Sequence, residues 1–195
     1  MAKHVIVIAS GETERRALPY LLAHLMDHHV HVDEVRIPPR GRALNVEMAE
    51  KLVKAAWFEN AAHPPHKFVV LVDADGAIPD ELLRPLREHL PARLRRHINA
   101  TVLFAHAQWH LEAWYFADAA NLRSFVGRAL GNVDTSAPDQ IQNPKLHLKN
   151  LLGERVYTSV VSEDIAKRLN AQTIAQRSPS FRYFQEAVLN GESQI

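Results

Sequence analysis

The chain has 195 residues, 47% of them hydrophobic and 23% charged, with a net charge of +1 and no cysteine. That length suits one well-buried core rather than two. The composition excludes a disordered chain, and the missing cysteines exclude disulfides and thiolate metal sites. No apolar run approaches the roughly 20 residues that span a bilayer, and Met1-Ala2-Lys3-His4 lacks the apolar stretch of a signal peptide. A cytoplasmic protein with no membrane association is therefore expected.

Residues 4–9 form a β-branched apolar run, which predicts a strand buried on both faces. Ser10-Gly11-Glu12-Thr13 breaks it. Ala17, Leu18, Leu21, Leu22 and Leu25 then follow at helical spacing, with Pro19 expected near the first turns of that helix. Residues 30–37 read as a second strand, stopped by Pro38-Pro39-Arg40-Gly41, and Val46 to Phe58 as a helix. Phe68 to Val72 is the clearest buried strand. It ends in Asp73-Ala74-Asp75-Gly76, after which Asp80 is expected to cap a helix beginning at Glu81. Thr101 to Ala105 gives a fourth strand. From Leu111 the pattern becomes helical, with residues 132–143 the most loop-like stretch. Ser178-Pro179 opens a final helix running to about Leu189.

Strands alternating with helices indicate βαβ units and a largely parallel sheet. One α/β domain over residues 1–195 is expected, with a Rossmann-like sheet core at 1–108 and a mostly helical part at 109–195.

In open α/β sheets, sites form beyond the carboxyl ends of the strands. Two such ends here are acidic: Glu12 and Glu14 after the first strand, Asp73 and Asp75 after the third. The chain turns at Asp73-Ala74-Asp75-Gly76, so both aspartates can meet one cation. Hard oxygen donors of this kind suit Mg2+ or Mn2+. The same four residues are also an ordinary turn sequence. Glu112, among Trp109, Trp114, Tyr115 and Phe116, is either a buried carboxylate needing a partner or metal, or an end of an amphipathic helix that reaches solvent. Twelve histidines raise a zinc reading, with His28, His29 and His31 clustered and His106 and His110 four apart. No motif organises them, and surface or capping roles account for them better. The Arg36, Arg40, Arg42 and Arg93, Arg95, Arg96 clusters read first as solvated faces.

An apolar strand ending in Ser10-Gly11-Glu12-Thr13-Glu14, followed later by Val72-Asp73-Ala74-Asp75-Gly76, resembles the two acidic motifs of Toprim domains. Topoisomerases, primases and the overcoming-lysogenization-defect nucleases use that fold for magnesium-dependent phosphodiester chemistry. Residues 111–118, 141–145 and 177–181 narrow the likeness to the Toprim-like bacterial domain of unknown function 4276, over nearly the whole chain. The resemblance implies a Toprim-like fold and a Mg2+- or Mn2+-dependent nuclease. Glu14, Asp73 and Asp75 would be the catalytic metal ligands, with Glu12, Ser10 and Glu112 behind them. Arg40, Arg42, Lys145 and Lys149 would face the phosphates of DNA or RNA. By analogy it also implies a role in phage defence with an ATPase encoded nearby. Ser10 stands where Toprim enzymes place their first glutamate, and this leaves a second reading open: a catalytically inactive module that partners the ATPase.

Overall fold

A computed structural model describes residues 2–190 of the chain. Four strands, β1 (Lys3–Ile8), β2 (Val30–Arg36), β3 (Lys67–Asp73) and β4 (Thr101–Ala107), pair in parallel in the order β2-β1-β3-β4. Parallel neighbours require crossovers. The crossover helices are α1 (Glu12–Leu21), α2 (Val46–Glu59) and α3 (Pro79–Leu94), and α1 is extended by a short 3-10 segment at residues 23–28.

Alternation along the central strands divides the core into two. Val5, Val7, Val69 and Leu71 face one side, while Ile6, Ile8, Phe68 and Val70 face the other. The second set packs against Ala49, Val53 and Ala56 of α2 and Leu83, Leu86 and Leu90 of α3. The first set lies under α1 and the C-terminal helices α4 (Glu112–Ala117), α5 (Ala119–Val126), α6 (Pro144–Leu152), α7 (Ser159–Ala166), α8 (Ala171–Arg177) and α9 (Pro179–Leu189). Trp114 anchors this side, stacked on Phe184 at 5.6 Å and edge-on to Phe181 at 5.0 Å, with its indole N–H donating to Ser180 Oγ at 2.8 Å. Burying one such ring removes on the order of 150–250 Å² from water, about 4–6 kcal/mol. Among the described residues, no helix is long and apolar enough to cross a membrane.

The expected strands are all present within a residue or two, and the final helix begins as expected, with Ser178 Oγ accepting from Phe181 N at 3.1 Å. Residues 132–143 contain only a short 3-10 turn at Pro138–Gln140. Two helix starts differ from expectation. Because α1 opens at Glu12, Pro19 is its eighth residue rather than an early one. Burial of Glu14, Ala17, Leu18 and Leu21 on one face keeps the helix going past it. α3 starts at Pro79 with Ile78 at the cap, so Asp80 lies inside the first turn, where its carboxylate accepts from Arg87 Nη1 at 2.9 Å. The same helix runs through Pro85 and Pro91, carried by its buried leucines.

Candidate functional site

The carboxyl ends of β1 and β3 lie side by side where the strand order reverses, the crevice in which open α/β sheets hold ligands. Beyond β1 the chain stays in line through Ala9, whose N–H donates to Arg36 O at 2.8 Å, and Ser10 and Gly11 lead into α1. Glu14, in the first turn of α1, is 5% exposed. Its carboxylate lies by the start of its own helix, where the backbone of Glu14 and Gly11 favours the charged form. A Cβ on residue 11 would come within 3.3 Å of Glu14 Oε2, so glycine there leaves the carboxylate its place.

β3 delivers Asp73 as its last residue, partly buried. The next four residues form a tight turn. Ala77 N donates to Ala74 O at 2.8 Å, and both central residues have positive φ, Asp75 at 49° and Gly76 at 76°. Ala74 N donates to Ala107 O and Gly76 N to Gln108 O, which hooks the turn over the end of β4. Only glycine fits at position 76, because a Cβ would meet the Trp109 ring at 2.5 Å. Asp75, 70% exposed, is drawn to the rim, where its Oδ1 is 2.8 Å from His110 Nε2.

The chain beyond β4 brings a fourth acid. Glu112 begins α4 and is 1% exposed. Its Oε1 accepts from the Tyr157 hydroxyl at 2.8 Å and lies 3.8 Å from Lys145 Nζ. Of the two readings of Glu112, burial with a partner is therefore the correct one, and the reading in which it reaches solvent is overturned. The Tyr157 hydroxyl is pushed far above its usual range, chiefly by burial, so it serves as a neutral donor.

These acids feel one another. Burial first, and then the charges of Glu14, Glu112 and Asp75, hold the Asp73 carboxyl well above the usual carboxylate range. Glu14 is raised by burial and by Glu112, against the pull of the backbone donors and Lys145. Three inward carboxylates face one ammonium, so the site carries an excess of negative charge that a proton or a cation would relieve. The donors are all oxygens, which fits a hard divalent ion.

Ser10, Asp73 and Asp75 line a cavity of about 420 Å³, walled also by residues 43–46 and by Leu82, Pro85 and Leu86 of α3, and Glu14 and Glu112 lie outside its lining. Arg40 and Arg42 are exposed on the loop leading into residues 43–46. A larger cleft, about 840 Å³, opens past the Asp75–Gly76 turn between Trp109 and Tyr183, and it contains none of Glu14, Asp73 or Glu112.

Not every expected residue joins the cluster. Glu12 is two residues from Glu14, hence on nearly the opposite side of α1, and its carboxylate pairs with Arg15 at 2.7 Å and Arg16 at 3.4 Å. Lys145 does lie beside the acids, 3.8 Å from Glu112 with its side chain 44% exposed, while Lys149 lies exposed one turn farther along α6. Arg36 is taken up by Glu34 at 2.8 Å and by Glu59. Among the described residues, the trio of metal-type side chains with all ligand atoms within 4.8 Å of one another is His4, His31 and Asp33, at the other end of the sheet. Glu14, Asp73 and Asp75 are not drawn together to that degree. Tyr157 and His110 went unrecognised as partners of the acids. Tyr157 is 45 residues from Glu112, and nothing local in the sequence signals that pairing.

Two solved structures align with the chain. The C-terminal region of the Xanthomonas campestris pv. campestris OLD protein is 16% identical with a TM-score of 0.45, covering 96% of each chain. The C-terminal region of the Burkholderia pseudomallei OLD protein is 19% identical with a TM-score of 0.43, covering 96% of this chain and 99% of that one. No curated protein matches the sequence. Residues 10–189, which take in β2 to β4, the acidic residues that follow β1 and β3 and the C-terminal helices, match a family described as a domain of unknown function, DUF4276, and the chain belongs to that family.

Proposed function

We propose that this chain is a divalent-metal-dependent phosphodiesterase of Toprim type acting on nucleic acid, with Glu14 and Asp73 as its central metal ligands and Asp75 at the rim. One observation carries the reading: the buried carboxylates of Glu14 and Glu112 and the partly buried carboxyl of Asp73, from three separate elements, repel one another at the switch point of a parallel sheet, with Lys145 as counter-charge. Buried like charges are costly and are kept where chemistry uses them. A bound Mg2+ or Mn2+ would polarise a phosphate and lower the pKa of the attacking water.

The chain's own residues divide the remaining work. The backbone at the start of α1 favours the charged form of Glu14 before any ion arrives. Tyr157 and Lys145 fix Glu112 as a charge behind the metal position, which compensates for Ser10 at the position Toprim enzymes give to glutamate. The Ser10 hydroxyl lines the cavity and can donate to a phosphate oxygen. Arg40 and Arg42, on the loop that walls the cavity, and Lys149 on α6 would position the phosphate backbone without reading bases.

The test is a nicking assay on plasmid and single-stranded substrates with Mg2+ or Mn2+. Wild type is expected to cut, and Asp73→Asn and Glu14→Gln to lose at least about 100-fold, a barrier change of roughly 2.7 kcal/mol. Cleavage by Asp73→Asn at the wild-type rate would refute the assignment. Ser10 favours a second reading, an inactive module that partners an ATPase encoded nearby. That reading expects no cleavage by wild type and a stable complex when the neighbour's product is co-purified.

A further inference from the structure

We propose that the amino end of the sheet, opposite the acidic cluster, carries a second metal site built from His4, His31 and Asp33 and suited to a divalent transition ion such as Zn2+ or Co2+. His4 and His31 are direct partners in the β1–β2 register. Side chains paired in this way share a face, and Asp33, two residues after His31, lies on the same face. A register shift between Val5 and Ile6 then lets the strand pass from Val32 to Glu34 opposite them, leaving Asp33 unpaired. Val32 and Val35, three apart, both reach the core under α1, and the residues between them are left to the other side.

The donor atoms already converge. Asp33 Oδ1 is 2.5 Å from His31 Nδ1 and 3.0 Å from His4 Nδ1, and Oδ2 is also 3.0 Å from His4 Nδ1. Around a tetrahedral Zn2+ with ligand bonds near 2.0–2.1 Å, neighbouring donors stand roughly 3.3 Å apart. Loading an ion therefore means moving the Nδ1 proton of each ring to Nε2 and opening the His4 contacts by roughly 0.3 Å and the His31 contact by roughly 0.8 Å.

His66 supplies the support such sites need. Its ring stacks on His4 at 5.9 Å and 17°, and its Nδ1 accepts the His4 backbone N–H at 3.1 Å. That acceptor role puts the His66 proton on Nε2, and the His66 ring packs beside His4 without joining the ligand trio. Two imidazoles and one carboxylate select a transition ion over Mg2+, and three protein ligands leave a position for water or an exogenous group. The ion would also clamp edge strand β2 to β1.

The experiment uses untagged, chelator-stripped protein titrated with CoCl2, followed by visible ligand-field absorption, and with ZnCl2 by calorimetry. Wild type and Asp73→Asn are expected to take up one equivalent in a nitrogen-containing site, and His31→Ala and Asp33→Ala to bind at least about tenfold more weakly. Three outcomes would overturn the proposal: no uptake by wild type, unchanged uptake by His31→Ala, or loss of the signal in Asp73→Asn. His31 and Asp33 are exposed on the edge strand, so their variants are expected to fold, which circular dichroism checks in the same samples.

Discussion

Asp73 and Glu14 sit in folded-state environments that favour their protonated forms, for Asp73 first through burial and then through the charges of Glu14, Glu112 and Asp75. Their pKa values lie above those of the unfolded chain. The stability linked to their protons is complete below the ordinary carboxylate range and is lost as pH rises through the raised values. Without a divalent ion, Asp73→Asn is therefore expected to melt a few degrees above wild type near neutral pH, and scanning calorimetry should show that gap closing as pH falls towards the ordinary carboxylate range. A variant that melts below wild type at neutral pH would contradict this electrostatic account. Glu112 depends on its donor in the opposite way. Tyr157→Phe removes the hydroxyl from a carboxylate that is 1% exposed, and denaturant unfolding should show a loss of about 1.5–3 kcal/mol. At this scale the sequence announced the acids and hid their partners. Asp73, Asp75, Glu14 and Glu112 stand out by type and position, whereas Tyr157, Lys145 and His110 acquire their roles only when separate elements meet.

Among the elements, the turn after β3 decides where the acids point. Asp75 and Gly76 both have positive φ, and three backbone hydrogen bonds, from Ala74, Asp75 and Gly76, tie the turn to the last residue of β4 and the two that follow it. Gly76→Ala would place a methyl group 2.5 Å from the Trp109 ring in a backbone conformation that alone costs roughly 1–2 kcal/mol. Thermal unfolding should show at least that loss, and metal binding should weaken with it because Asp73 is next to the turn. Strands and caps were legible because their signals are local: continuous apolar β-branched runs for β1 and β3, and Ser178 before Pro179 for α9. Helix starts were less so. Asp80 looks like a cap, but Pro79 with its fixed φ starts α3 two residues before the expected Glu81. Pro19 looks like an early helical residue because α1 begins in Glu12-Thr13-Glu14, a polar stretch with no apolar period to mark it.

For the whole molecule, the core under α1 is continuous with the one beneath the C-terminal helices, so the sheet and the helical part share buried surface. Lys67 at the start of β3 donates to Ala187 O and Val188 O at 2.9 and 2.8 Å and also to Asn190 O, tying the sheet to the end of α9. Arg16 and Tyr20 of α1 both reach Glu163 of α7. One cooperative transition is therefore expected, with far-UV circular dichroism and tryptophan fluorescence melting together. Separate transitions would mean that residues 1–108 and 109–195 fold independently. The α/β class followed from strand and helix alternation alone. How the helical half covers one face could not be read in this way, because those contacts link residues such as Trp114 and Phe184 that no periodicity relates.

A cation held at the carboxyl end of the sheet would be seen in a crystal structure of the chain soaked with Mn2+, with the ion located by anomalous scattering. The account predicts a peak ligated by Glu14 and Asp73, within reach of Asp75, and absent from Asp73→Asn crystals. Full Mn2+ occupancy elsewhere, with the Glu14–Asp73 site showing no anomalous signal, would contradict it.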